Sequence, residues 1–504
     1  MAEVFGSGRM SAPHKIVRSF FYTIGSGYVA RLCSLVITFL LKDDLGPEVF
    51  DLTVKGQVVF ILLSSLRDFG WLHSLLHFQD QVDEFVQTHF ALNLAFSLAG
   101  CLLTCGVGFG LYYYDPAIYT WPAVVIGAFS LFYFIRSLTQ TSEALLRMDF
   151  EFGRLGLFHG LATVVALACA LAAAWYGWGR WSLVLGGWGT FSVFSGVYTL
   201  IYASAVWHSR PIRLWPLQLD RVWARRLLDY GKWFWLAWGV LLNFIWYYDK
   251  LVLAFIGDER YEASLALYDH AWWLMQFPTA IIAHIVFAYT NTLYSRYQAD
   301  KARLSELFST MMGVIFRGSA LVALLLLVNA HEITAVLKPE WAAAAPMMTW
   351  LAGYTFLRPL FDDGIGLLWA VGDTRRTACI MGVQALVALL VVPAAILWKG
   401  VEGLAYSMGV VAAIGVIGVF IGLTRYVDIA WRRVFMAPLV ALALAMAASA
   451  AYSQVSSFAW WTDLILRSGA LSVIYAGTLW LIEREAIAAD WRQLRQVLRR
   501  EEEG

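Results

Sequence analysis

The sequence predicts an all-α polytopic membrane protein with 14 transmembrane helices. Two pseudo-symmetric six-helix lobes would surround a central cavity, with two further helices at the C-terminal end. Three observations predict it. Hydrophobic residues make up 60% of the 504, charged residues only 14%, and the mean hydropathy is +0.63. A soluble chain would carry about 25% charged residues. Apolar windows of about 20 residues, the length that crosses a bilayer, recur along the whole chain. Finally, the arginines and lysines fall mainly on alternate connections between those windows.

The windows lie at roughly 19–41, 52–76, 86–114, 118–140, 155–176, 181–206 and 230–256, then at 264–292, 307–330, 343–369, 377–398, 402–424, 434–453 and 463–482. With the N-terminus cytoplasmic, twenty-four of the 37 basic residues fall on inner segments. Five fall outside: Lys42, Arg180, Arg260, Lys338 and Lys399. That asymmetry obeys the positive-inside rule, and one misplaced span would scramble it. The expected organisation is an N-terminal lobe at 1–206, a basic cytoplasmic linker at 207–232, a C-terminal lobe at 233–424, two helices at 425–482 and a cytoplasmic tail at 483–504. The tail places Ile487, Trp491, Leu494 and Leu498 on one helical face, as in a helix lying on the inner membrane surface.

The apolar run after the basic N-terminus is too long for a signal-peptide core and reads as a retained first helix. The five cysteines lie in apolar runs and their number is odd, so free buried thiols are expected. A net charge of +1 identifies no partner by itself. No nucleic-acid partner and no cofactor is expected.

Eight basic residues lie within the windows: Arg31, Lys55, Arg67, Arg136, Lys250, Arg317, Arg358 and Arg467. A charge at mid-membrane costs about 2.5–3.5 kcal/mol on insertion scales, so such groups must face a wet cavity or one another. Arg467 and Lys55 lie near the outer interface and could snorkel. Arg317 could pair structurally, whereas Arg31 lies near the middle of its span.

Two sites follow. "FYFIRSL" at 132–138 and "YTFLRPL" at 354–360 align without gaps and place Arg136 over Arg358. The same offset brings Arg154 onto Arg376, and Gly46 and Gly257 lead similar loops. Parallel repeats of this kind build transporters with a substrate site between the halves. Arg136 and Arg358 would then form a guanidinium clamp suited to phosphate or pyrophosphate. The competing reading pairs each with a carboxylate such as Glu143 or Asp362. In the second site, Asp249 and Asp269 lie equally far from the turn near Glu259, flanked by Lys250 and His270. This cluster could carry a coupling proton or sodium ion, or form a charge-neutral structural knot. Pro278 and Pro359 are candidate kinks.

Arg67 and Asp68 stand side by side in the inner half of the second window. Adjacent helical residues point about 100° apart and do not pair with each other. One is expected to face the cleft and the other a neighbouring helix, with Arg31 or Arg136 as partners for Asp68. The local Asp-Phe-Gly is not kinase-like, since no Gly-rich loop or His-Arg-Asp accompanies it. His73 and His77 are one turn apart and His89 follows, but no firm third metal ligand is evident, so no metal site is assigned.

The segments "LLKDDLGPEVFDL", "LLSSLRDFGWLHSLL", "ALLRMDFEFGRL", "RLLDYGKWF", "LALYDHAWWLMQFP" and "VLKPEWAAAAPMMTWL" occur in this order between about residues 20 and 376. With them the chain resembles the multidrug/oligosaccharidyl-lipid/polysaccharide (MOP) exporter superfamily, most closely its polysaccharide branch of Wzx-type O-antigen and exopolysaccharide flippases. The resemblance implies alternating access around a cationic cavity, lined here by Arg31, Arg67, Arg136 and Arg358. It implies as cargo an undecaprenyl-pyrophosphate-linked oligosaccharide, moved to the outer leaflet of the bacterial cytoplasmic membrane. Membrane lipid and polysaccharide polymerase or export proteins are the implied partners. One departure is Phe50-Asp51, where members often have Phe-Gly, and it is expected to add a carboxylate at the outer mouth. A lipid II flippase and a cation-coupled multidrug antiporter are the alternatives within the superfamily. An enzyme is not expected, because every outer loop is short.

Overall fold

The computed structural model describes residues 40–41, 45–67, 69, 71, 74–75, 78, 81–148, 152–186, 196–201, 217–258, 260, 263–276, 290, 294, 297–298, 300–336, 339–453 and 460–503. Among the described residues every regular element is helical. The helices are α1 (45–65), α2 (Val82–Tyr114), α3 (Pro116–Met148), α4 (Phe152–Trp175), α5 (Trp181–Gly186), α6 (Arg221–Phe234), α7 (Asn243–Ile256) and α8 (264–276). They continue with α9 (Lys301–Val328), α10 (Ala345–Ala370), α11 (Thr374–Leu423), α12 (Ala437–Tyr452) and α13 (Trp460–Glu503). A π-helical segment, Trp235–Leu242, joins α6 to α7, and Asn243 Nδ2 donates to the Trp238 and Gly239 carbonyls freed there.

Eight stretches among the described residues are long and apolar enough to cross a membrane. One of them, α11, has 50 residues and would be about 75 Å long if straight, well beyond one bilayer. It is broken at Lys399 and Gly400, where Gly400 takes φ +61°, into two helical segments that match the windows expected at 377–398 and 402–424. The expected spans at 19–41, 181–206 and 264–292 fall wholly or partly outside the described residues.

The second expected span differs. The helix covers 45–65 and ends in a turn at Leu66 and Arg67 rather than running to residue 76. The apolar residues beyond the turn are buried in protein: Trp71 and Leu75 join a core with Phe85, Phe90, Ala144, Trp223 and Leu227. Hydropathy cannot separate a side chain facing lipid from one packed inside a helical lobe.

The chain divides into two compact units. The first comprises Met1–Leu41, Arg67–Lys232 and Trp491–Gly504, and the second Lys42–Leu66 and Trp233–Asp490. In the first, Asp115 ends the α2–α3 hairpin and accepts from the Ala117 and Ile118 N–H groups, a side-chain cap for α3. Polar side chains tie these two membrane-length helices, as small and hydrogen-bonding residues do between helices in lipid. Asn93 donates to the Ser137 carbonyl at 2.7 Å, and the His89 ring lies 3.1 Å from Thr141 Oγ1 and 2.8 Å from the Trp71 carbonyl. At the end of this unit Phe85 stacks on Trp223 of α6.

In the second unit, Ala437, Ala441 and Ala445 form a small-residue stripe on α12 packed with Ala320 and Leu324 of α9 and Leu471 and Tyr475 of α13. The break in α11 is clamped from the loop after α7. Asp258 Oδ2 accepts from the Val401 N–H at 2.8 Å, and Arg260 donates to the Lys399 carbonyl at 2.5 Å. Asp258 and Arg260 also bond each other. The Arg260 guanidinium holds the Asp258 carboxyl down at about 2, helped by the backbone N–H groups of Val401 and Arg260.

Candidate functional site

The predicted site residues separate by unit. In the first, Arg67 is buried at the end of its turn, with its guanidinium over the Tyr133 ring at 3.3 Å from the centroid. Its stem lies against Gly100, where an added Cβ would come within 3.0 Å of Arg67 Cδ. Arg136 is half-buried in α3 and forms no ion pair among the described residues. Glu143, one candidate partner for Arg136, stands 3.6 Å from His159 of α4 instead. Arg31 and Asp68 lie outside the described residues, as do His73, His77 and Pro278.

In the second unit the two predicted features merge. Arg358 of α10 pairs with Asp362 one turn on: Nη2 lies 2.6 Å from Oδ1 and Nε donates to Oδ2 at 3.0 Å. Arg358 thus has the carboxylate partner that the pairing reading named. The guanidinium also donates to the Tyr354 hydroxyl and lies over the Trp246 ring of α7 at 4.7 Å. The α7–α8 pair brings the acidic cluster together as the spacing requires. Lys250 Nζ meets Asp269 Oδ1 at 2.5 Å, and the Tyr268 hydroxyl donates to Asp249 Oδ2 at 2.5 Å. Lys250 Nζ sits 5.4 Å from the centroids of both Tyr247 and Trp272, and Trp272 packs on Tyr354 at 4.6 Å. Asp249 and His270 are fully buried, the His270 ring against Trp341 at 4.9 Å.

Several charges have structural partners that sequence alone did not supply. Asp51 is buried, and its Oδ1 accepts from the Leu265 and Ala266 N–H groups at the start of α8, while Oδ2 pairs with Lys55 at 3.0 Å. Lys55 therefore has a carboxylate partner one turn away. Arg467 likewise bonds Asp463, Glu332 at 3.1 Å and the Val328 carbonyl. Arg317 pairs with Glu483 at 2.8 Å, as a structural partner was expected to. Arg154 is exposed, whereas Arg376 bonds Asp373 and the Gly422 carbonyl. Gly46 and Gly257 both take φ near +70°, the left-handed region that favours glycine.

A further acidic residue that sequence reasoning missed lies beside Asp362. Asp363, next to Asp362, is buried and accepts from the Tyr294 hydroxyl at 3.0 and 3.2 Å. Adjacent Asp residues on one helix point apart, which signals two separate partners. Among the described residues no group of three or more His, Cys, Asp or Glu side chains could hold a metal ion.

Comparison with known proteins agrees with this architecture. The fold is similar to that of the lipid II flippase MurJ in an inward closed conformation, with a TM-score of 0.67 at 11% identity over 93% of this chain and 100% of that one. It is also similar to an inward-facing multidrug resistance MATE family transporter of the MOP superfamily, with a TM-score of 0.61 at 14% identity over 79% of this chain and 94% of that one. A MOP superfamily transporter from Pyrococcus furiosus, described as having a binding pocket of reverse polarity, matches with a TM-score of 0.55 at 14% identity over 83% of this chain and 96% of that one. No curated protein matches by sequence. The sequence profile described as "Polysaccharide biosynthesis protein" matches residues 45–346, more than half of the chain. This multi-pass membrane protein, with the fold of the MOP superfamily transporters, belongs to the polysaccharide biosynthesis protein family.

Proposed function

We propose that the protein is a flippase that moves undecaprenyl-pyrophosphate-linked oligosaccharide units from the inner to the outer leaflet of the bacterial cytoplasmic membrane by alternating access. The carrying observation is Arg136, within a helix long and apolar enough to cross a membrane and with no ion pair among the described residues, in a chain of a polysaccharide biosynthesis family. A pyrophosphate crossing a low-dielectric core needs fixed counter-charge, and a guanidinium supplies it with hydrogen bonds directed at phosphate oxygens. Arg67 and Arg31 would add to that charge. Both termini face the cytoplasm on this reading, as the distribution of basic residues requires.

Transport against a gradient needs a coupled ion, and the Asp249–Lys250–Asp269–His270 cluster is the candidate to carry it. Asp249 Oδ1 is buried and has no hydrogen-bond partner among the described residues, so it is placed to take a proton or cation. Substrate binding to the purified protein in lipid nanodiscs tests the reading. Geranylgeranyl pyrophosphate should bind wild type and lose at least tenfold in affinity with Arg136→Ala, the scale of one charge-assisted contact. A cation-coupled multidrug antiporter is the second reading, favoured by the partly exposed Asp269 and Asp362 carboxylates of the second unit. It predicts instead that tetraphenylphosphonium binds and that Arg136→Ala has no effect.

A further inference from the structure

The charges of the second unit are layered in a way the clamp reading did not anticipate. In the two ion pairs on α7, α8 and α10 the cations are covered: the Lys250 and Arg358 side chains are 5% and 10% exposed. Their carboxylate partners are open, Asp269 at 29% and Asp362 at 30%. Both pairs lie in the spans expected at 230–256, 264–292 and 343–369, and ion pairs in such spans turn toward water rather than lipid, so we read this open side as wet. What it presents is carboxylate oxygen, with each positive charge lying behind its partner. Such a surface repels a pyrophosphate.

Aromatic rings surround the two cations behind these carboxylates. Trp246 lies against Arg358, Tyr247 and Trp272 lie around Lys250, and Trp272 leads through Tyr354 back to Arg358. The two ion pairs and the four rings therefore form one contiguous patch. Trp246 and Tyr247 are half-exposed within it, and the Trp246 indole N–H has no hydrogen-bond partner among the described residues. Flat apolar faces next to strong acceptors, with no net charge, match sugars. The rings cover the C–H faces of a pyranose while the carboxylates accept from its hydroxyls.

We propose that the patch formed by Trp246, Tyr247, Asp269, Arg358 and Asp362 is a glycan subsite. It binds the uncharged, hydroxyl-rich sugars of the cargo rather than its pyrophosphate. Arg358 acts there as a positioning residue, holding Asp362 in place by its two-point contact. The inference rests on the flippase reading and adds to it the part of the cargo that this unit recognises.

The test uses the full-length protein in nanodiscs and two probes: geranylgeranyl pyrophosphate, and the same lipid carrying a neutral trisaccharide. Wild type should bind the glycosylated probe about tenfold more tightly, the worth of one aromatic contact with one or two hydrogen bonds. Trp246→Ala should erase that increment and leave affinity for the bare pyrophosphate unchanged. Because removing one partner of a buried pair threatens folding, the charge test uses the double replacement Arg358→Met, Asp362→Leu, which leaves no orphan charge. It too should cost only the sugar increment. Equal wild-type affinity for the two probes would sink the subsite while leaving the flippase reading intact. Loss of bare-pyrophosphate binding in the double variant would return Arg358 to a phosphate clamp. No binding of either probe by wild type would remove the flippase reading itself.

Discussion

One oxygen of Asp51 accepts two backbone N–H groups of another helix, those of Leu265 and Ala266, each at 3.1 Å. A helix start leaves its first N–H groups without intrahelical partners, and here a carboxylate from α1 supplies what an N-cap residue would. Lys55, one turn along α1, balances the charge at 3.0 Å. Asp51→Ala should lower stability by about 1–2 kcal/mol, and Asp51→Asn by less, because the amide oxygen still accepts. Thermal unfolding of the detergent-solubilised protein reads this directly. A smaller loss with alanine than with asparagine would contradict the capping role.

Asp258 predicts an acid limb in the stability profile. Its carboxyl is held down at about 2, so the folded state binds its proton less readily than the unfolded state does. The stabilisation is fully present above the ordinary carboxylate range near 4 and is lost as pH falls through about 2. Melting temperatures of wild type and Asp258→Asn, taken from pH 6 downward, should differ at the top of this range and converge at the bottom. A constant difference would mean that the Val401 and Arg260 contacts do not depend on the charge.

Arg136→Ala and Arg358→Ala should part company in the cell. The first removes a side chain with no ion pair among the described residues, so abundance in the membrane should stay near normal while glycan export falls. The second leaves the Asp362 carboxylate without its two-point partner, and should lower abundance as well. Quantitative immunoblots beside an export assay separate the two outcomes.

Gly403 sits just after the break in α11, and a Cβ there would lie 2.2 Å from the Ala395 carbonyl oxygen. Backbone cannot swing aside as a side-chain tip can, so Gly403→Ala should cost about 1–3 kcal/mol and reduce the folded yield. Gly382→Ala, where nothing lies within 4 Å, is the control and should be silent.

The sequence made some of this legible and hid the rest for identifiable reasons. Span positions follow from apolar length and charge alternation, local rules that need no tertiary contact. Asp115, Asp220, Asp300 and Asp373 each cap the helix that follows them, as an Asp before an apolar run suggests. The Arg358–Asp362 pair is written in its four-residue spacing. Asp51 looks the same in sequence whether it lines an outer mouth or caps a helix more than 200 residues away, and only the fold decides. Arg317 and Glu483 are likewise too far apart for any local rule to join. The early end of α1 was missed because Trp71 and Leu75 are as apolar in a protein core as in lipid.

That last ion pair bears on how the C-terminal end can be handled. Glu483 is the one non-helical residue within α13, and Arg317 Nε and Nη2 both donate to its carboxylate there. The chain is thus pinned at a definite point before its final stretch begins. A stop codon placed after Glu483 keeps the pin, whereas one placed a single residue earlier removes the carboxylate from a guanidinium that is only 13% exposed. Two truncations differing by one amino acid should therefore give one protein that accumulates and one that the cell degrades.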